Sequence, residues 1–503
     1  MPINTDPKFV QSLLKQISEL TMQISELTAQ LSDATVQINA LQDQVKNLLQ
    51  TIAELQEQKN KNSQNSSKPP SSDGYAKKPQ PKSLRPSDTG RKKGGQKGHK
   101  GANLMQRKPD EVVSCMPSDC QGCPHYEECR KTAKVKESRQ VVDAEVKVKV
   151  TQYDRCLVKC CPMSGWRKAG KFPEGVNGPV QYGDNLNALV VALNTVGAVS
   201  ISRTHEILAN VFDIPLSEGC ISSMVSKCAS KVQGALDVIK NLALGCDVNN
   251  ADESGIRAEK KLFWAHVFCN GAYTLLKLHE KRGWKAMEAI GILAGCHGTL
   301  VHDCLSSYWQ HPGTLLHAIC NAHLLRELTG VEENHPTLTW AKKFKQLLLD
   351  MKAERDKQTD AGSTALSQAQ QDEYSKRYDE IIDLAYKETP LPIQPPRKRK
   401  GGRKKRGKVL ALVDRLKKYK ASVCLFIKNF DVPFDNNQAE RDLRMVKAKI
   451  KIAGCFRTKE GAQEYLDIMS YVSTAKKHGH NAYEAIKNAV SGDPMFLFQG
   501  ATC

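Results

Sequence analysis

No stretch of the 503 residues approaches the ~18 consecutive apolar residues that a membrane-crossing helix needs, so no membrane partner is expected. Met1 to Val10 lacks a basic start followed by an apolar run, and with it the signature of a secretory leader. The compartment expected is the reducing cytoplasm, where the 17 cysteines are not expected to form disulfides. Some are candidate metal ligands and the rest candidate core filler. Acidic residues are the scarcer charge: 54 Asp and Glu against 74 Lys and Arg leave a formal net charge of +20. That excess favours a polyanionic partner, most commonly nucleic acid, and an association with the nucleoid. Its distribution says more. Between Lys59 and Lys108 there are fourteen basic residues against two Asp, and nine of the twelve residues from Arg397 to Lys408 are basic. Runs of this kind usually stay solvated and bind phosphate backbones well.

Proline and glycine are absent from residues 13–55, and there a strict 4-3 apolar repeat runs Leu13, Ile17, Leu20, Ile24, Leu27, Leu31, Ala34, Ile38, Leu41, Val45, Leu48, Ile52, Leu55. Six heptads with Ile or Val mostly at a and Leu mostly at d point to a parallel coiled-coil dimer or a higher assembly. A single amphipathic helix packed on its own protein is the competing reading, although core helices rarely hold a 3.5-residue period for so long. Asn62 to Gly101 is rich in Asn, Ser, Pro, Gly and Lys and reads as a flexible basic linker.

Cysteines then cluster at Cys115, Cys120, Cys123 and Cys129, and again at Cys156, Cys160 and Cys161. Between them Arg139 to Tyr153 alternates apolar and polar residues, the pattern of a strand or hairpin. Two thiolate pairs about a β-ribbon make a zinc-ribbon-like arrangement, in which the metal substitutes for a core too small to fold alone. Cys120, Cys123, Cys156 and Cys160 are the expected Zn²⁺ ligands. Cys156-x3-Cys160 is one residue longer than the commonest knuckle, and Cys161 competes with Cys160. Ordinary cysteines in a small β unit are the alternative. Further on, Ser202 to Phe212, the turn Asp213-Ile-Pro-Leu-Ser217 and Glu218 to Val232 match a helix-turn-helix, with Ser217 as N-cap. Ser222, Ser223 and Lys227 on the second helix would be available to a DNA groove; two helices that merely pack are the bland alternative.

Leu262 to Phe268 and Ala272 to His279 flank Asn270-Gly271, a hairpin signal. A helix is expected over Trp284 to Leu293 and a strand over Gly298 to Cys304 that bears Asp303, with a further strand near His317 to Ala322. Helices are expected over Leu338 to Tyr386, over Val409 to Phe430 and after Pro433. Asp252 in Asn-Ala-Asp-Glu-Ser-Gly, Asp303, and Glu440 in an early helical turn capped by Asp435 stand where a ribonuclease H-like fold gathers acids at one end of its sheet. Such a cluster suits two Mg²⁺ (or Mn²⁺) ions about 3.5–4 Å apart, which activate the attacking oxygen and steady the leaving oxygen of an in-line phosphoryl displacement. Surface acids and a helix cap are the alternative. Arg441, Arg444, Lys447, Lys449, Lys451 and Arg457 flank Glu440 as candidate phosphate contacts, unless they are an ordinary solvated face. Cys320-x2-His323 has a metal-like spacing, but a buried Cys with a hydrogen-bonded His explains it better.

Six segments carry a resemblance over nearly the whole chain and in order. They are Asn65-Ser-Ser-Lys-Pro-Pro-Ser-Ser-Asp73, Gly94-Gly-Gln-Lys-Gly-His-Lys-Gly101, Ala251-Asp-Glu-Ser254, Cys320-Asn-Ala-His-Leu-Leu-Arg-Glu327, Asp435-Asn-Asn-Gln-Ala-Glu-Arg441 and Gly454-Cys-Phe-Arg-Thr-Lys-Glu-Gly461. Together they resemble the insertion sequence 66 family of bacterial transposases. The resemblance implies a leucine-zipper start, a zinc segment, a helix-turn-helix and a DDE core interrupted by an insertion, with Asp252, Asp303 and Glu440 carrying the catalytic metals. The sequence departs from the pattern at the x3 cysteine pair and in the unusually polar run Val248-Asn-Asn-Ala before Asp252.

The expected architecture is multidomain α+β. It comprises a coiled coil over 8–58, a basic disordered linker over 59–110, a zinc-binding segment over 111–166 and a helix-turn-helix region over 180–245. A ribonuclease H-like core follows over 246–333, then a helical insertion with the basic run over 334–408, the second part of the core over 409–460 and a C-terminal helical region over 461–503. The expected activity is Mg-dependent cleavage and strand transfer of double-stranded DNA at the ends of an insertion sequence. The chain would pair with itself through the coiled coil and work with or without accessory proteins of the same element. A non-catalytic zinc and zipper DNA-binding regulator, and a ribonuclease H-like nuclease that cuts without joining, are the rival functions.

Overall fold

A computed structural model describes residues 6–62, 64–66, 106–120, 122–143, 146–159, 162–163, 167–311, 313, 315–389 and 407–498. Most of the expected linker, the basic residues 397–406, Cys160 and Cys161 lie outside the described residues. In chain order the helices are α1 (Pro7–Asn60), α2 (Tyr126–Thr132), α3 (Asp184–Asn194), α4 (Ile201–Phe212), α5 (Glu218–Lys231), α6 (Gln233–Leu244), α7 (Trp284–Ile290) and α8 (Asn321–Asn334). They continue with α9 (Trp340–Asp360), α10 (Gln368–Glu388), α11 (Lys408–Lys418), α12 (Lys420–Val423), α13 (Leu425–Lys428), α14 (Asn437–Ala453), α15 (Lys459–Lys477) and α16 (Ala482–Ser491). The strands are β1 (Leu157–Val158), β2 (Lys168–Ala169), β3 (Val248–Ala258), β4 (Lys261–Cys269), β5 (Thr274–His279), β6 (Thr299–His302) and β7 (Leu316–Ile319). Contacts divide the chain into two units: residues 1–81, 183–200 and 222–503 in the first, 82–182 and 201–221 in the second.

In the first unit β3 to β7 form one mixed sheet in the order β5-β4-β3-β6-β7. β3, β4 and β5 are antiparallel; β6 runs parallel to β3, and β7 parallel to β6. The β4–β5 turn is the expected one: Asn270 Oδ1 accepts the N–H groups of Ala272 and Tyr273 at 2.9 and 2.8 Å. The β3–β4 turn escapes a sequence reading, because Glu259 and Lys260 adopt left-handed φ values of 52° and 63° without a glycine between the strands. Period-two alternation sorts the sheet's residues onto two faces. Ala251, Phe268, Leu275 and Leu300 pack with α3, α5, α6, α7, α15 and α16. Ile256, Phe263, Ala265, Val267 and Leu276 meet Ala439, Leu443 and Val446 of α14 and Tyr465, Leu466 and Met469 of α15. Val301, Ala318 and Ile319 join a third cluster built from α8 to α13.

The outer edge of β5 is closed by side chains rather than by another strand. Thr274 N–H donates to Thr474 Oγ1 (3.1 Å), Leu276 N–H to Ser470 Oγ (2.8 Å) and Leu278 N–H to Gln463 Oε1 (2.8 Å). One face of α15 thereby satisfies the edge donors that would otherwise template pairing with another chain.

The helical regions are more broken than the sequence predicts. Leu338 to Tyr386 is two helices, because Gly362 turns left-handed (φ 85°) and Ser367 starts α10 with a capping box to Gln370. The stretch expected from Val409 to Phe430 divides into α11, α12 and α13.

α1 is a single helix started by Asp6, whose side chain accepts the Lys8 N–H at 3.2 Å, with Pro7 in the first turn. Among the described residues nothing covers its apolar seam, which stays exposed from Leu13 (42%) to Leu31 (70%) and Leu55 (58%). Packing of this helix along its own chain is not what is seen. Its end, however, is docked. Asn62 Oδ1 accepts the N–H groups of Gln64 and Asn65, an Asx-type turn. The buried Asn65 amide donates to Asn60 O (2.9 Å) and to Glu333 Oε2 of α8 (2.8 Å). A Cβ on Gly330 of α8 would come within 2.3 Å of Asn65 O, so only glycine admits this approach. The expected linker is thus ordered against α8 as far as Ser66, because the asparagine side chains satisfy a turn that periodicity does not reveal.

The second unit contains α2, the β1/β2 pair, α4 and the start of α5, whose Ser217 Oγ accepts the Cys220 N–H at 3.2 Å as expected of an N-cap. The strand expected over Arg139 to Tyr153 is not formed by its described residues. Val142, Val146, Val148 and Val150 are all exposed, and alternation makes a strand only where a neighbouring strand takes its hydrogen bonds.

Helix propensity alone makes Gly330→Ala stabilising by up to ~1 kcal/mol. The contact with Asn65 reverses the expectation: the variant should melt lower, and residues 60–66 should exchange their amide protons faster. Unchanged exchange at those residues would remove the docked turn.

Candidate active site

The parallel register of β3 and β6 pairs Asn250 with Val301. Continued by two residues, it sets Asp303 beside Asp252, just past the end of β6. Asp252 Oδ1 accepts the Glu253 N–H at 2.8 Å, and Asp303 Oδ1 accepts the Leu305 N–H at 3.0 Å. Between the latter two residues Cys304 takes a left-handed φ of 70°, which turns the chain sharply away and leaves Asp303 at the strand end. Burial first, and then the charges of Glu253 and Asp303, push Asp252 up to about 7. Lys447 on α14 opposes that shift and therefore lies within electrostatic reach of Asp252. Glu253 is also pushed up to about 7, by burial and then by Asp303.

Glu440 is placed by the start of α14. Asp435 Oδ1 accepts the Asn437 N–H at 3.0 Å. Fully buried Asn436 donates from Nδ2 to Ala251 O and accepts from Asn250 Nδ2, both at 2.8 Å, while its backbone N–H meets Cys320 Sγ at 3.1 Å. One side chain thus ties the strand of Asp252 to the helix of Glu440. The polar run before Asp252 finds its reason here: Asn250 bonds to Asn436 on one face, and Asn249 bonds to Cys246 O and Asn270 on the other. The Glu440 carboxylate lies 3.6 Å from Arg326 and 3.9 Å from His323, both on α8. Burial pushes His323 down to about 3, so it is a neutral imidazole at pH 7.

The structure therefore brings Asp252 and Asp303 together and turns Glu440 toward α8. The expected single cluster of three carboxylates is not formed: among the described residues no three His, Cys, Asp or Glu side chains converge as a metal would need. The donor pair nevertheless suits a hard divalent cation, being carboxylate oxygens whose mutual repulsion a cation would relieve. Asp442, two residues on, is committed elsewhere, to Thr274 (2.8 Å) and Lys477 (2.7 Å).

A family model described as Transposase IS66 family matches residues 179–464. The chain belongs to the IS66 family of transposases. A second model, described as a family of unknown function (DUF6444), matches residues 5–105, which include α1 and the docked turn. No curated protein matches the chain. Among the described residues of the transposase, no helix is long and apolar enough to cross a membrane.

The basic residues expected around Glu440 separate into two groups. Arg441, Arg444, Lys447 and Lys451 are exposed along one side of α14, and Arg457 is exposed beyond it. Lys449 is buried instead: its ammonium donates to Asn194 O and Val199 O at 2.8 Å, and burial pushes it down to about 8. It caps the end of α3 and is not a phosphate contact. Ser222, Ser223 and Lys227 are exposed on α5. Cys120 is partly buried, and Cys123 and Cys156 are exposed. Cys320 matches the expectation of a buried cysteine, held as a thiol by a value pushed up to about 12. The pairing of Asn250 with Asn436 was not foreseen from the sequence, although the polar run Asn249-Asn250 at the start of the strand was the available signal.

Asn436→Ala leaves the Asn250 amide without its acceptor, which costs about 1–3 kcal/mol. Calorimetry should show that loss, with the spacing between α14 and β3 perturbed; an unchanged melting temperature would oppose the tie. A second expectation follows from Asp252. Its folded value lies above its unfolded one, so the wild-type fold loses stability as pH rises from about 4 to about 7, after which the loss is complete. Metal-free Asp252→Asn should gain in melting temperature over the wild type across that window and level off above it. A pH-independent difference would contradict the burial of the carboxylate.

Proposed function

We propose that this transposase is a DDE enzyme that binds the ends of its insertion sequence, cleaves them and joins them to target DNA. The observation that carries the reading is the placement of Asp303, just past the end of β6, beside Asp252 within the adjacent parallel strand β3. The sheet order is that expected of a ribonuclease H-like core, and Glu440 starts a helix tied to the same strand through Asn436. Held by Asp252, Asp303 and Glu440, Mg²⁺ or Mn²⁺ would supply the charge that activates the attacking oxygen and steadies the leaving one.

The chain's own groups do the rest. Arg326 and His323 hold the Glu440 carboxylate close to α8. The exposed Arg441, Arg444, Lys447 and Arg457 grip the DNA backbone, and Ser222, Ser223 and Lys227 face a groove. Water attacks the phosphate at the element end and a 3′ hydroxyl leaves. That hydroxyl then attacks a target phosphodiester, whose own 3′ oxygen leaves, with no bond between protein and DNA. The uncovered seam of α1 would pair with a second copy, so that two ends are held at once. A zinc ion on Cys120, Cys123, Cys156 and Cys160 would brace the second unit.

The test uses purified full-length protein, element-end DNA and Mg²⁺, and scores nicked and joined products separately. Asp252→Asn, Asp303→Asn and Glu440→Gln should each abolish both products and leave DNA binding intact, since binding rests on the basic groups. Robust joining by any variant removes that residue from the triad. Nicks without joined products in the wild type would favour a nuclease, and loss of DNA binding in all three variants would favour a regulator.

A further inference from the structure

Glu253 follows Asp252 on β3 and so faces the opposite side of the sheet. Its side chain is fully buried, yet both oxygens are taken: Oε1 by Arg282 Nε at 3.0 Å and Oε2 by the Tyr308 hydroxyl at 2.8 Å. Arg282 sits between β5 and α7. Its guanidinium lies over the Trp264 ring, 5.1 Å from the centroid, and its terminal nitrogen is 3.6 Å from Asp303 Oδ2. The side chain remains 39% exposed. Tyr308 is buried and stacks on His302, the residue before Asp303, with ring centroids 4.6 Å apart. A guanidinium has five donors in a rigid fork. Here the inner Nε–H is spent on a buried carboxylate and the ring face on Trp264. A terminal nitrogen reaches Asp303 at ion-pair but not hydrogen-bond distance, and the partly exposed side chain leaves the guanidinium accessible beside the paired acids.

We propose that Arg282 binds a non-bridging oxygen of the phosphate that is cut, with Glu253 and Tyr308 as its positioning residues. The inference rests on the catalytic reading of Asp252 and Asp303. Charge explains the design. A phosphate brought against two aspartates is repelled, and a cation held beside them by a buried counter-charge offsets that repulsion. Pre-fixing the guanidinium also avoids reorganisation at the moment of reaction, which is where such donors gain their effect. A merely structural ion pair to Glu253 would need neither the partial exposure of the guanidinium nor its approach to Asp303.

The experiment is a double-substitution cycle on cleavage. Arg282→Ala is compared with the wild type on end DNA carrying either the normal phosphate or a neutral methylphosphonate, each diastereomer separately, at the cut position. Arg282→Ala should slow cleavage of normal DNA by about 10²–10³-fold, with binding of uncut end DNA changed less than about threefold. One methylphosphonate diastereomer should slow the wild type strongly but add little in Arg282→Ala, because the contact is already gone. Glu253→Gln should lose part of the same coupling, and Arg282→Lys, which keeps charge without the fork, should recover little of it. If Arg282→Ala fails to fold, Arg282→Lys carries the cycle. Additive effects of phosphate and side chain in a wild type that cuts normally overturn this contact and leave the DDE reading standing. A wild type that cuts nothing while binding the end overturns both.

Discussion

Negative charge held out of water is the constraint on which the core is arranged. Asp252 and Glu253 within β3 lie near Asp303 just past the end of β6, and burial together with mutual repulsion pushes Asp252 and Glu253 up to about 7. Such a cluster persists only where the surroundings over-determine it. Glu253 is stabilised by Arg282 and Tyr308, Asp252 and Asp303 by backbone N–H groups, and the sheet itself keeps the two aspartates side by side through an all-backbone register. In the proposed mechanism this repulsion would be relieved by a divalent cation.

The second acidic element, Glu440, is coupled to the first through neutral groups. Asn436 spans β3, α14 and Cys320, and α8 begins at Asn321 and reaches Glu440 with His323 and Arg326. The same α8 receives the end of α1 at Gly330. One helix therefore touches the proposed catalytic glutamate near its start and the long N-terminal helix near its end.

How much of this was legible in the residues depends on the range of the interaction. Period-two and period-3.6 patterns are local, and they located α1, the β4–β5 hairpin, β6 with Asp303 at its end, α4, α5 and the start of α14. Six short segments, among them those holding Asp252 and Glu440, likewise made the family recognisable. Where the pattern misled, a partner was missing or hidden. The valines from 142 to 150 alternate but pair with no strand, Lys449 lies among exposed basic residues yet turns inward to the end of α3, and Asn65 in a stretch rich in turn residues docks on a glycine.

By itself the sequence determined which residues carry charge and oxygen donors, where several of the helices and strands lie, and that a long uninterrupted heptad repeat opens the chain. These follow from side-chain chemistry and from contacts within one or two turns. Only the tertiary structure decided that Asp252 and Asp303 are neighbours while Glu440 turns to Arg326, that Arg282 is anchored on Glu253 and reaches Asp303, and that Asn436 joins the two halves of the site. The physical reason is that these contacts close between residues far apart in the chain. A parallel register, a buried counter-charge or an asparagine bridge is specified by which faces pack together, and no local periodicity encodes that choice.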